Sequence, residues 1–157
     1  MSPVAITLPD ETATAGLGRA VAAALRAGEA VCLSGPLGAG KSTLARALVR
    51  ALTSPDEEVP SPTFTLVQFY AGTRLNVAHF DLYRLSSADE AYEIGLDEAL
   101  DEGAAVIEWP ERLEGRLPRD RLDIVIALSD TDKAESREAR LTRHGAWEGR
   151  DLGGIGT

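Results

Sequence analysis

Eight consecutive residues, Gly35-Pro36-Leu37-Gly38-Ala39-Gly40-Lys41-Ser42, follow the pattern G-x-x-x-x-G-K-[ST]. Glycines at these places let a loop curl around a phosphate with its backbone N–H groups inward. A helix that starts where the loop ends adds a fixed partial positive charge at the same spot. Lys41 would bring a full charge to the β- and γ-phosphates, and the Ser42 hydroxyl would fill one Mg2+ position. Pro36 lacks an N–H, but it stands ahead of the amides that would hold the β-phosphate. The pattern therefore predicts a site for ATP with Mg2+, built from Gly35, Gly38, Ala39, Gly40, Lys41, Ser42 and Thr43. The plainer alternative is a glycine turn with an exposed lysine.

Such a site needs a carboxylate at the end of a neighbouring strand, to hold Mg2+ or its waters. Two acids qualify. Glu108 closes the apolar run Ala104-Ala105-Val106-Ile107, and Asp81 closes a β-rich run over residues 75–80. Either could instead be a solvated strand-end acid. Thr63, in Ser61-Pro62-Thr63-Phe64, leads out of a proline-rich loop and suits a hydroxyl that senses the γ-phosphate, or one that satisfies a turn. Trp109 lies beside the site or packs in the core. His79 reads as a strand histidine sooner than as a base. Arg84 is a phosphate or partner contact, or a counter-charge to the acids that follow it. Cys32 reads as small core packing.

The elements that must position these groups are legible from periodicity. Residues 4–8 suit a strand, and 11–27 an amphipathic helix capped by Asp10 and closed by Gly28. Residues 30–34 form a strand buried on both faces, and 41–52 a helix with Leu44, Leu48 and Leu52 on one side. Residues 54–62 are a loop, and 64–70 with 75–80 a hairpin about residues 71–74. Ser87 and Glu90 form a capping box for a short helix ended by Gly95. Residues 104–107 and 122–128 are buried strands, Pro110 starts a helical turn, and 138–143 is a last, more exposed strand. Strand, glycine loop and helix begin an α/β sheet. The expected fold is one α/β domain of the P-loop NTPase type, residues 1–148, with a mixed, mostly parallel central sheet flanked by helices. A glycine-rich tail, 149–157, is expected to be flexible.

The chain of 157 residues has the length of one domain, and 44% apolar with 26% charged residues is ordinary globular composition. The net charge of −9 falls entirely on residues 79–157, and residues 85–111 hold nine acids and no base. That surface repels phosphate backbones and argues against unaided nucleic-acid binding. One cysteine and two histidines exclude an internal disulfide and a tetrahedral Cys/His zinc site. No apolar stretch is long enough to span a membrane, and the N-terminus has no signal-peptide pattern, so a cytoplasmic setting is expected.

Four segments, 35–43, Ser61-Pro62-Thr63-Phe64, His79-Phe80-Asp81-Leu82-Tyr83-Arg84-Leu85 and Ile107-Glu108-Trp109, occur in this order. Together they resemble the TsaE (YjeE) family, bacterial ATPases of tRNA threonylcarbamoyladenosine biosynthesis, over roughly residues 4–128. The resemblance implies a small P-loop domain that binds ATP with Mg2+ and hydrolyses it slowly. It implies work with a TsaB–TsaD complex, which itself transfers the threonylcarbamoyl group to the adenosine beside the anticodon. Contact with tRNA would be indirect, through that complex. Lys41 and Ser42 would serve phosphate and Mg2+, Glu108 would be the metal-side acid and Asp81 would be needed for hydrolysis. Thr63 would belong to a switch-like loop and Trp109 would lie next to the nucleotide. The family usually carries Asp where this chain has Pro36, and often Thr at Ser42. Two other classes compete: a small-molecule kinase with Arg112, Arg116, Arg119 and Arg121 as a lid, and a nucleotide-dependent interaction module with negligible turnover.

Overall fold

The computed structural model describes residues 3–36, 38–129 and 136–152. Strand β1 (Val4–Leu8) leads into helix α1 (Glu11–Ala24), where the Asp10 carboxylate accepts from the Ala13 amide at 2.9 Å. The helix stops three residues before the expected end. Leu25 turns to an extended conformation, and the Arg74 guanidinium takes the freed carbonyls of Ala22 and Leu25 at 2.7 and 3.1 Å. Gly28 therefore does not cap α1; its amide donates to Gly103. Strand β2 (Ala30–Ser34), the glycine loop and helix α2 (Lys41–Leu52) follow as predicted.

The hairpin strands are shorter than their apolar runs: β3 spans Val67–Tyr70 and β4 Val77–Asp81. Leu66 sits at φ 68°, and its amide donates to Pro62, which makes residues 62–66 a turn rather than strand. Residues 71–76 form the connection, tightened by Asn76 Oδ1 accepting from the Gly72 amide. Helix α3 (Ala88–Glu93) begins after Ser87, but the capping box does not form. The Ser87 hydroxyl makes no cap bond, while Glu90 accepts from the Ser86 amide at 3.0 Å. Helix α4 (Leu96–Glu102) was not anticipated; Leu96 and Ala99 are its buried face. Strand β5 (Ala104–Glu108), a 3-10 turn at Pro110–Leu113, and strands β6 (Arg121–Leu128) and β7 (Arg137–His144) complete the order, with a 3-10 turn at Gly145–Trp147.

Among the described residues the sheet has seven strands in the order β1-β7-β6-β2-β5-β4-β3. The central four, β6, β2, β5 and β4, are parallel, and the antiparallel pairs lie outside them. This is the expected mixed sheet, parallel at its centre. β7 is more exposed than the central strands, as expected, with Ala139 and Leu141 buried, and it runs between β6 and β1. α1 and α2 cover one face, packing on Val31, Leu33, Val77, Val106, Leu122 and Ile124. α3, α4 and the Pro110–Leu113 turn cover the other face of the central strands, over Ala30, Cys32, Phe80, Ala105 and Ile107. Burial pushes the Cys32 thiol up in pKa, so it stays protonated and serves as core packing.

The start of the expected tail is anchored. Arg150 grips Glu29 with two bonds of 2.6 and 2.8 Å, and Leu152 is buried. The rest of that tail, 153–157, lies outside the described residues. Among the described residues no helix is long and apolar enough to cross a membrane.

Candidate active site

Parallel pairing aligns the C-terminal ends of three strands. Leu33 of β2 stands opposite Glu108 of β5, and Glu108 opposite Asp81 of β4. The glycine loop leaves β2 at that edge, so the cradle and both acids meet there, where ligands bind in parallel α/β sheets. Side-chain alternation then selects the face. Val77 and Val106 pack toward α1 and α2, so His79, Asp81 and Glu108, at two-residue spacing from them, face the same side.

A cavity of about 260 Å3 opens at this edge, lined by Gly38, Gly40, Lys41, Ser42, Thr43, Ser61, Thr63, Asp81, Glu108 and Trp109. Nine of the eleven residues expected to form the nucleotide site are on its wall, all but Gly35 and Ala39. Gly35 and Ala39 act from behind it. Gly35, at φ 138°, lies so close to β6 that a Cβ would stand 2.2 Å from the Ile126 carbonyl oxygen, which only glycine permits. Ala39 is fully buried, and its amide donates to Pro36 at 3.2 Å, so Pro36 serves the loop as a hydrogen-bond acceptor. Leu37 lies outside the described residues.

Lys41 is only 4% exposed. Its ammonium donates to the Gly35 carbonyl at 2.6 Å and stands 3.5 Å above the Trp109 ring. Burial lowers its pKa; the negative charges of Glu108, Glu111 and Asp81 work in the opposite direction. Trp109 holds this place in a left-handed conformation, φ 60° and ψ 51°, uncommon for a bulky residue and found chiefly at functional sites. Tyr83 backs its ring at 4.9 Å between centroids.

The two acids have distinct surroundings. Asp81 accepts from the Thr63 hydroxyl at 3.1 Å and from the Tyr83 amide at 3.1 Å, and Ser61 shares a 2.8 Å bond with Thr63. A chain of hydroxyls thus ties the 61–63 segment to the acid at the end of β4. Glu108 is 3% exposed, and its Oε2 pairs with His79 Nε2 at 2.6 Å. His79 Nδ1 is buried without a hydrogen-bond partner. His79 therefore orients Glu108 from the adjacent strand; it does not line the cavity. Arg84 stacks on Phe64, 4.8 Å from its ring, away from the cavity wall.

The residues fit a Mg·nucleotide. The positive-φ glycines Gly35, Gly38 and Gly40 shape a loop around a cavity that contains a lysine, a hydroxyl and two carboxylates. Among the described residues no cluster of three or more His, Cys, Asp or Glu forms a metal cage. One carboxylate with one hydroxyl is what a Mg2+ that keeps its waters and the substrate's phosphates asks of a protein. None of Arg112, Arg116, Arg119 or Arg121 lines the cavity. Arg116 pairs with Asp89 and Arg121 with Asp123, so these two are spent within their own neighbourhood and form no lid.

Two contributors escaped sequence reading. The His79–Glu108 pair depends on strand register, which no local pattern announces. Arg137, at the start of β7, donates to the Gly38 and Ala39 carbonyls from nearly 100 residues away in sequence. A lone arginine in a polar strand carries no signal of that.

Comparison with known proteins identifies the family. Residues 8–139 match the profile of the family described as threonylcarbamoyl adenosine biosynthesis protein TsaE. The chain is 37% identical over 126 residues to the tRNA threonylcarbamoyladenosine biosynthesis protein TsaE of Rickettsia bellii, spanning 80% of this chain and 88% of that protein. To the protein of the same name from Treponema pallidum it is 42% identical over 106 residues, 67% of this chain and 77% of that one. The crystal structure of Bacillus subtilis YdiB superposes with a TM-score of 0.76 at 29% identity, covering 94% of this chain and 91% of that one.

Proposed function

We propose, from the premise that this chain belongs to the TsaE family, that it is the ATP-hydrolysing subunit of tRNA threonylcarbamoyladenosine biosynthesis. The observation that supports this best is the meeting of Lys41, Ser42, Thr63, Asp81, Glu108 and Trp109 on one cavity wall. Amides of Gly38 and of residues 40–43, with the Lys41 ammonium, bind the phosphates. Ser42 and Glu108 would hold Mg2+, with His79 keeping Glu108 in place. Asp81, fixed by Thr63 and Tyr83, orients a water molecule. Bound Mg·ATP would supply the phosphoric anhydride and the metal charge that makes it cleavable. To serve phosphate, Lys41 must exchange its bond to Gly35 and its place over Trp109, and that exchange slows turnover in the isolated protein.

The reading extends to the setting. The chain acts as one cytoplasmic domain, and the protein works with a TsaB–TsaD-like complex that performs the transfer itself. Contact with tRNA runs through that complex, since the acidic half of the chain repels a phosphate backbone. Thr63 lies where nucleotide state is felt, so association with the complex depends on ATP or ADP.

The test is the ATPase rate and complex formation, with ATP, ADP or neither, with and without the TsaB–TsaD complex. The expected result is weak activity alone, stimulation by the complex and nucleotide-dependent association, with Lys41→Ala losing about 10–100-fold in ATP affinity. Equal ATP affinity in Lys41→Ala, or no stimulation and no association, overturns the reading.

A further inference from the structure

The glycine loop is a wall with two sides. The nucleotide cavity lies on one. On the other is a second pocket, about 220 Å3, lined by Glu11, Thr14, Gly38, Ala39, Gly40, Thr43 and Arg137. Gly38, Gly40 and Thr43 face both, whereas Arg137 lines only the rear pocket. Its Nε donates to the Ala39 carbonyl at 3.2 Å, its Nη2 to the Gly38 carbonyl at 3.3 Å and its Nη1 to the Ser136 carbonyl at 3.0 Å. The strand beneath is secured on both sides: Arg137 stands opposite Leu8 of β1 and Leu128 of β6.

A trans peptide points its C=O and its N–H in opposite directions. Drawing the Ala39 carbonyl toward Arg137 therefore turns the Gly40 N–H away from Arg137, toward the cavity Gly40 lines. Drawing back the Gly38 carbonyl fixes the preceding peptide as well, whose Ala39 N–H is held within the loop by the Pro36 carbonyl. The loop needs such a hold, because Gly38 and Gly40 sit at φ 80° and 108°, where glycine gains no restraint from a side chain. Gly40, the N-cap of α2, has no side-chain cap bond either.

We propose that Arg137 is a positioning residue of the phosphate loop, its guanidinium clamping the Gly38 and Ala39 carbonyls from the rear so that the loop amides face the nucleotide. It touches no reacting atom. Its charge adds to the attraction for phosphate, but the fork is what sets the geometry, and lysine's single point charge cannot reproduce a fork. The proposal rests on reading residues 35–42 as a phosphate cradle.

Amide hydrogen exchange of the 38–41 segment in the nucleotide-free protein tests the clamp without any ligand, and calorimetry with ATP and ADP tests its consequence. In Arg137→Ala, loop exchange should quicken by about tenfold, the loss expected of a hydrogen bond to a charged group. Affinity for ATP and ADP should fall by a similar factor, KM for ATP should rise more than kcat falls, and the thermal midpoint should hold. Arg137→Lys, which keeps the charge, should recover less than half of the loss on a logarithmic scale. Unchanged loop exchange in Arg137→Ala overturns the clamp, and so does full recovery by Arg137→Lys. If wild type bound no ATP, the cradle reading would fall, while loop exchange would still decide whether Arg137 restrains the loop.

Discussion

Asp81 and Glu108 stand opposite each other on adjacent strands, yet their partners divide them. Asp81 is held by a hydroxyl and an amide beside the 61–63 segment, and Glu108 by a buried histidine. Asp81→Ala should lower kcat about 100-fold or more with nucleotide affinity largely kept, the signature of a lost proton or water contact. Glu108→Gln should weaken binding of Mg·ATP about tenfold and leave metal-free ATP nearly unaffected. Dissociation constants with and without Mg2+, alongside kcat, check both; identical profiles would refute the division of roles. Lys41 gives a pH signature. Its folded pKa is lowered from the ordinary value near 10.5, so between the two the unfolded chain holds a proton that the folded chain lacks. Stability should then rise with pH across that window and show no such slope below it. The buried Cys32 thiol, raised in pKa, gives both proteins the opposite trend, so the difference in urea-unfolding stability between wild type and Lys41→Met up to pH 10 should carry the Lys41 slope.

At the scale of elements, the position of α2 determines where the cradle lies, and α1 determines the position of α2. The two helices touch at Gly18, where an added Cβ would stand 2.6 Å from the Leu44 carbonyl oxygen. That oxygen is backbone and cannot step aside as a flexible side chain would. Gly18→Ala should therefore push α1 off α2 and cost about 1–3 kcal/mol, as overpacking does. Denaturant unfolding measures the loss, and nucleotide affinity should fall with it because Lys41 and Ser42 open the displaced helix. Gly16→Ala is the control on the same helix, since an added Cβ there meets only the Arg19 side chain at 3.7 Å.

Across the whole molecule, the chain's last described residues close back on its first helix. Arg150 pairs with Glu29 through two bonds, donates to the Ala24 carbonyl and stacks on Trp147, 4.4 Å from its ring. Both side chains of the pair are nearly buried, at 10% and 6% exposure. Arg150→Met strands the Glu29 carboxylate and should cost about 3–5 kcal/mol. The double variant Arg150→Met with Glu29→Gln should recover much of that loss, because no buried charge is left alone. Thermal unfolding of the three proteins decides; an Arg150→Met protein as stable as wild type would show that residues 149–152 do not brace the fold.

Much of the site was legible in the sequence because its parts are locally encoded. A glycine spacing specifies the loop, an apolar run closed by an acid specifies a strand and the residue at its tip, and Asp10 ahead of a periodic segment specifies a helix start. The glycine loop, Asp81 and Glu108 were singled out on those grounds, Thr63 as the exit of a proline-rich loop and Trp109 as the neighbour of Glu108. Elsewhere tertiary contacts overrode local preference. Residues 64–66 are apolar enough for a strand but turn so that the Leu66 carbonyl can accept from the Asp81 amide. Helix α1 stops early because Arg74, some 50 residues on, takes its last carbonyls. β7, polar on alternate residues, is more exposed than the central strands as its pattern predicts, but its place between β1 and β6 has no local signal. The pairing of His79 with Glu108, the reach of Arg137 to the loop and the grip of Arg150 on Glu29 all join residues far apart in sequence. Such contacts depend on sheet order and register, which the burial of whole faces decides together. Residue type and spacing state the chemistry proposed for the candidate site; the order of the strands decides which residues stand together there.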